Sequence, residues 1–254
     1  MVICLTPRTL PVAERLYADV ETSSDAYARR FSGPVGEWFL ARQSECTGGL
    51  LDGIPAGARV LDVGGGHGQL VPLLLARGFD ITVIGSTAAC AHRLEKWMAD
   101  GKVRFETADL LALAAADRSY DVVLSFRLLP HIAEWERLVG ELCRVSASSV
   151  IIDYPSSRSV NVLAERLFAA KKKVEGDTRE FTLFEPAQVA RAFERHGFSV
   201  ARECGQFIWP MALHRAAGSR TLSRLLESVP RAAGLTGPFG SPRILRADRS
   251  GSRG

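Results

Sequence analysis

No stretch of this chain reaches the roughly 20 consecutive apolar residues that a bilayer-spanning helix needs, which excludes a helical membrane span as an expectation. The apolar run Val2–Leu5 is too short to read as a signal peptide. Cysteine is sparse and scattered: Cys4, Cys46, Cys90, Cys143 and Cys204 include no Cys-x-x-Cys pair, and no His/Cys group has metal-ligand spacing. No metal is therefore expected, and the cysteines read as small buried hydrophobes in a reducing, cytoplasmic setting. Excess charge of one sign is also lacking. The balance of 32 basic and 28 acidic residues leaves +4, too little for a dedicated nucleic-acid binder. A dinucleotide fingerprint is missing as well. Counted from Gly64, the sixth position is Gln69; counted from Gly66, it is Val71. No Gly-Lys-Ser/Thr follows to make a phosphate-binding loop.

What is present is the run Val60-Leu61-Asp62-Val63-Gly64-Gly65-Gly66-His67-Gly68. Apolar residues lead into a loop whose glycines let a ligand approach the backbone. Gln69–Arg77 follows as a helix, and strand, glycine turn and helix together suit a nucleotide-like ligand. With 254 residues and 46% hydrophobic content, the chain suits one α/β domain with insertions.

From Arg59 onward the chain alternates strands and helices, as a parallel sheet with crossover helices does. The strands are expected at 59–63, 80–84, 103–105, 120–125, 149–153 and 198–207, with a short last one at 242–247. Helices are expected from Ile132 to Arg144, from Pro186 to His196 and from Pro210 to Ser228. Residues 1 to about 11 read as disordered, with helical patterning from Pro11 and a longer helix from Val35 toward Leu51. Tyr17, Tyr27, Phe31, Trp38 and Phe39 give that N-terminal segment an aromatic density that suits either a lid over a pocket or ordinary packing on the sheet flank. The regular alternation stops after strand five, where Val160–Lys173 reads as an inserted helix.

The acid-x-Gly-Gly-Gly-x-Gly run closely resembles motif I of the class I S-adenosylmethionine (SAM) methyltransferases, and the order of elements over 59–247 resembles that family's fold. The resemblance implies an α/β, doubly wound, Rossmann-like sheet, mostly parallel with an antiparallel last strand and helical lid insertions. It implies a helical lid over 1–52 and a SAM-binding domain over 53–247. Acceptor-pocket insertions would fall at about 155–184 and 209–240, with a flexible tail at 248–254. It implies SAM as cofactor, with Asp62 near its ammonium and Gly64, Gly65 and Gly66 wrapping its amino-acid half. Asp109 and Leu110 fall at the family's adenine site, and Ser125 and Phe126 beside the sulfonium. One departure stands out. After strand two the family carries an acid that grips the ribose, but here the chain reads Ile84-Gly85-Ser86-Thr87, leaving Ser86 and the Gly85–Ser86 backbone for that contact.

Methyl transfer from SAM is an in-line displacement that depends mainly on positioning. A base is needed only for an acceptor that arrives protonated. His131 is the candidate base, weighed against a helix-start histidine that merely packs, and Tyr154 is the second candidate. His67 shapes the glycine loop or contacts the SAM amino acid, and His214 is a further pocket candidate. Lys171-Lys172-Lys173 and Arg179 make the insertion basic, which reads as a solvated helix face or a site for an acidic acceptor. Phe181, Phe184, Phe207, Trp209 and Met211 read as pocket walls or core. The expected partner is a small organic acceptor, with neither nucleic acid nor membrane, and the oligomeric state is open. The alternatives are an RNA or protein methyltransferase and a non-methylating relative such as a binding module, cyclase or isomerase.

Overall fold

The computed structural model describes residues 18–159 and 182–251. The expectations for residues 1–17, the helix over Val160–Lys173, the basic residues Lys171, Lys172, Lys173 and Arg179, and Phe181 lie outside the described residues. Seven strands form one sheet: β1 (Arg59–Val63), β2 (Asp80–Gly85), β3 (Val103–Thr107), β4 (Tyr120–Ser125), β5 (Ser146–Tyr154), β6 (Phe198–Phe207) and β7 (Ser241–Arg249). Their spatial order is β3-β2-β1-β4-β5-β7-β6. The first five strands pair in parallel, and β7 runs antiparallel between β5 and β6. This is the doubly wound sheet with an antiparallel last strand that the sequence predicts.

Period-two alternation builds the two cores. Leu61 and Val63 of β1, Val123 of β4 and Val150 and Ile152 of β5 enter one apolar cluster. Val60, Val122, Leu124 and Ile151 enter the cluster on the opposite face. Both faces are dry because helices cover both, as a parallel sheet requires.

The α-helices among the described residues are α1 (Ala18–Thr22), α2 (Asp25–Ala28), α3 (Gly33–Leu50), α4 (Val71–Ala76), α5 (Glu95–Ala99), α6 (Trp135–Val145), α7 (Pro186–Glu194), α8 (Met211–Ala217), α9 (Arg220–Ala232) and α10 (Thr236–Phe239). On α6, Leu138, Val139, Leu142, Cys143 and Val145 are buried, the stripe that helical spacing demands. It begins at Trp135, not Ile132, because Leu129–His131 form a tight 3-10 turn first. The helix expected over Pro210–Ser228 is two, split where Gly218 takes a left-handed φ of 62°. Strand β7 extends to Arg249, two residues into the expected tail. Arg249 pairs with Phe198, and its guanidinium donates to the Cys143 carbonyl at 2.8 Å.

The cysteine expectation is corrected. Cys46 on α3 and Cys204 on β6 form a disulfide across 158 residues, with Cα atoms 5.9 Å apart. Only Cys90 and Cys143 are free, buried thiols among the described residues. The two partners are so distant in sequence that nothing short of the fold brings them together. Among the described residues no helix is long and apolar enough to cross a membrane.

One buried carboxylate anchors the C-terminal helices to the sheet. Glu227 of α9 is 1% exposed and accepts from the backbone N–H of Ile208 and of Trp209, each at 3.0 Å, and it meets His214 Nε2 of α8 at 3.0 Å. Removing one member of such a buried group leaves the others without partners. Glu227→Ala should therefore lower unfolding free energy by about 3–5 kcal/mol in a denaturant titration. A change below 1 kcal/mol, as an exposed glutamate would give, would contradict this anchoring role.

Candidate functional site

The glycine loop lies beyond the carboxyl ends of the paired strands β1 and β4, where the strand order reverses, the usual ligand position in such a sheet. Gly64 and Gly68 bracket the loop with φ of 75° and 68°, a left-handed backbone that favours glycine. Between them Gly65–His67 make one 3-10 turn. A side chain at Gly65 would run into the Asp62 carboxylate, so the loop and that carboxylate share one space. Asp62 is 1% exposed, and neither of its oxygens meets a hydrogen-bond donor among the described residues. Burial pushes its pKa up to about 7, with the nearby charge of Asp153 adding to the shift. His67 is buried in the same loop. Burial holds its pKa down to about 3, so it is neutral, and its Nδ1 accepts from the Gln69 N–H at 3.2 Å.

At the end of β2 the missing acid has a structural counterpart. Gly85 has no room for any side chain, because a Cβ there would stand 2.6 Å from the Cys90 Cβ and 3.0 Å from the Phe105 ring. A carboxylate arrives instead from the N-terminal helix α1. The Ser86 backbone N–H and hydroxyl each donate to Asp19 at 2.6 Å, and the Cys90 thiol donates to it at 3.2 Å. Asp19 is fully buried. Ser23, one turn further on, closes over Gly66, where a side chain would collide with it. Sequence reasoning missed Asp19. The one available signal was indirect: no acid stands at 85–87.

The other predicted cofactor residues fall as follows. Asp109 is exposed, and one of its oxygens accepts from the Leu111 N–H at 2.8 Å, as a turn-capping acid does. Leu110 is buried beside it. Ser125 donates its hydroxyl to the Val63 carbonyl at 3.0 Å, tying the tips of β4 and β1 together. Phe126 is fully buried in the core. Gly64, Gly65, Gly66, Gly85, Ser86, Ser125 and Phe126 thus lie at or just beyond three neighbouring strand ends, and Asp109 and Leu110 follow the fourth, β3.

Beyond the ends of β4 and β5 lies a cavity of ≈170 Å³. Tyr27, Phe31, Phe39, Phe207 and Met211 give it aromatic and apolar walls, and Arg127, His131 and Asp153 are among its polar residues. N-terminal aromatics thus form part of the pocket wall, with Trp38 packed behind Phe39 and Phe207. Burial lowers the His131 pKa and the positive charge of Arg30 lowers it further, which leaves the imidazole neutral at pH 7. Burial pushes Asp153 up to about 6, opposed by the Arg127 backbone N–H that donates to it at 2.6 Å. The Tyr154 ring lines the cavity, but its hydroxyl donates to Glu203 at 3.2 Å, and burial raises its pKa. His214 is not in this wall; its ring packs edge-on against Trp38 and Phe39. Phe184 is core, edge-on to Trp135 and Tyr154, and Trp209 is 40% exposed. Among the described residues no three His, Cys, Asp or Glu side chains stand close enough to hold a metal.

Comparison with known proteins agrees with this geometry. The pattern of a methyltransferase-domain family matches residues 41–203, well over half of the chain. Norajmaline N-methyltransferase of Rauvolfia serpentina is 31% identical over 124 residues, covering 45% of this chain and 42% of that protein. Across the first four curated relatives it matches, the chain spans between 31% and 47% of their length. Among solved structures, magnesium protoporphyrin IX methyltransferase of Synechocystis PCC 6803 with bound S-adenosylhomocysteine (SAH) superposes with a TM-score of 0.64. The two are 19% identical, and the match covers 90% of this chain and 96% of that one. The cyclase SpnF superposes with a TM-score of 0.57 at 16% identity, covering 82% of this chain and 80% of that one. At these identities the likeness shows the fold alone.

Proposed function

The chain belongs to the methyltransferase-domain family, and on that premise we propose that it transfers the methyl group of SAM to a small organic acceptor held in the cavity beneath its N-terminal helices. The observation that carries this reading is the Asp62 carboxylate, buried under the glycine loop without a hydrogen-bond donor. An unpaired buried carboxylate is costly, and an ammonium group brought against it supplies both the charge and the donors it lacks. A phosphate would repel it. The residues therefore fit the amino-acid end of SAM.

In this reading Asp62 holds the ammonium, and Gly64, Gly65 and Gly66 let the backbone close around it. The free oxygen of Asp109 and the Leu110 backbone take the adenine. Asp19 and Ser86 stand on the ribose side, so that the N-terminal segment contributes the acid that β2 lacks. When bound, SAM supplies an electrophilic methyl carbon on a good leaving group. What the protein adds is alignment, which is worth about 7–11 kcal/mol of barrier when reacting atoms are held in line. His131, neutral and in the cavity wall, accepts the proton of an acceptor that arrives protonated; Tyr154, with its hydroxyl on Glu203, serves as wall. The described N-terminal residues 18–52 act as the lid, and Pro155 and Met211 stand on the acceptor side. A sequence relative named for its action on norajmaline supports a small organic acceptor. A small, aromatic-walled cavity of ≈170 Å³ also suits such a molecule better than a polymer chain.

Calorimetric titration tests the reading: SAH should bind in the micromolar range and NAD should not. Failure of SAH to bind, or binding of NAD in its place, would overturn it. Asp19→Asn should weaken SAH binding by about tenfold or more if a charge-assisted contact is lost. An unchanged affinity would remove Asp19 from the site.

Proton linkage gives an independent check. With its pKa near 7, Asp62 carries a proton in the ligand-free protein at pH 6. An ammonium favours the charged carboxylate and lowers that pKa, so binding releases a proton below about pH 7. Affinity should rise with pH up to about 7 and level off above it. Calorimetry at pH 6 in buffers of different ionisation enthalpy should show this release, and Asp62→Asn should lose the Asp62 share of it. For the ligand-free protein the sign is opposite. The unfolded chain gives up this proton near pH 4 while the folded chain keeps it, so stability falls as pH rises from about 4 to about 7.

A further inference from the structure

Arg127 is held in an unusual way. It is the second residue after β4 and, although not glycine, has φ of 60°, a left-handed backbone that costs about 1–3 kcal/mol where it occurs. Asp153 stabilises this bend by accepting the Arg127 backbone N–H. The guanidinium charge is close enough to act on that carboxylate, but among the described residues no ion pair joins the two. Its Cζ lies 4.0 Å over the centre of the Phe31 ring, which fixes the plane of the group and leaves its N–H edge to find partners sideways. Nη2 donates to Gln43 Oε1 at 2.7 Å. Nη1 is buried and has no hydrogen-bond partner among the described residues, although the whole side chain is only 8% exposed and lines the cavity. An unpaired buried N–H carries a desolvation cost, smaller here than for Asp62 because Nη2 is paired and the group lies on a ring, and a ligand entering the cavity that Arg127 lines can relieve it.

We propose that the cavity recognises an acceptor with an apolar or aromatic body and a carboxylate, and that Arg127 binds that carboxylate. This rests on the methyl-transfer reading for the word acceptor, but the recognition itself is a property of the cavity. The guanidinium fork matches a carboxylate in shape and charge, and Nη1 is the donor left to meet it. Tyr27, Phe31, Phe39 and Phe207 supply the apolar surface for the rest of the molecule. His131, in the same wall, faces a molecule anchored in this way. Two lid elements meet at the anchor, because Phe31 and Gln43 both belong to the N-terminal helical segment. Specificity and closure of that segment over the cavity thus share one residue.

The test uses paired probes on the full chain saturated with SAH: benzoate and trans-cinnamate as carboxylates, benzamide and cinnamamide as neutral counterparts of the same shape. Binding is read by calorimetry and by tryptophan fluorescence, since Trp38 packs on Phe39 and Phe207 of the wall. The carboxylates should bind at least about tenfold more tightly than their amides, the effect of one charge-assisted hydrogen bond, and Arg127→Gln should erase the difference. Equal affinities for acid and amide, no saturable carboxylate binding at millimolar concentration, or a preference that survives Arg127→Gln would each overturn the proposal. The acid–amide comparison on the unaltered protein decides by itself if the variant does not fold. Should SAH fail to bind, that outcome counts against methyl transfer. The same probe series on the protein without SAH then decides the carboxylate proposal by the same criterion.

Discussion

A carboxylate carried on an interior strand to the edge of the crevice, and buried there without a donor, is the constraint around which the rest of this molecule is arranged. Asp62 belongs to β1, an interior strand paired with β2 and β4, with four of its five residues buried. Water cannot reach it, and the glycine loop leaves no side chain in the space it occupies. Such a group is tolerated when something cationic completes it. Strand order, the tight turn at Gly65–His67 and the tie from Ser125 to Val63 all hold the loop in register above that carboxylate.

The N-terminal helices are part of the site and not an appendage. Asp19 reaches the end of β2, Ser23 closes on the loop, and Tyr27, Phe31 and Phe39 wall the cavity. Helix α3 is tied to the far edge of the sheet by the Cys46–Cys204 disulfide, and Arg202 donates to the Gly49 carbonyl at the helix's last turn at 3.0 Å. Polar contacts that would be weak on the surface gain strength from burial here. Asp62 and Arg127 are incompletely paired within the protein, and the raised carboxyl of Asp153 stands with them. All three sit at the ends of β1, β4 and β5, where polar groups are kept in readiness for a ligand at some expense of stability.

Much of the fold was legible because apolar alternation and glycine punctuation are local signals. The interior strand β1, strands β4 and β6 and the buried stripe of α6 follow directly from residue spacing. Boundaries drifted where a local conformation intervened: the Pro130 turn delayed α6, and Gly218 split α8 from α9. The site was legible in part. The glycine run pointed to a ligand loop and Asp62 to its charge. The conformation of Arg127, the Asp19–Ser86 contact and the disulfide were not legible, since each joins residues or torsions that no pattern in the chain relates.

What the sequence determined by itself is the sheet and the ligand loop, because hydrophobic period and glycine content act within a few residues. Only the tertiary structure decided which side chains meet at the loop. Asp19 and Ser86 are 67 residues apart, and Cys46 and Cys204 are 158 apart. Contacts over such distances arise from the packing of whole helices against the sheet. That packing also decides which charges are stripped of water, and so which carboxylates and which guanidinium are left for a ligand to satisfy.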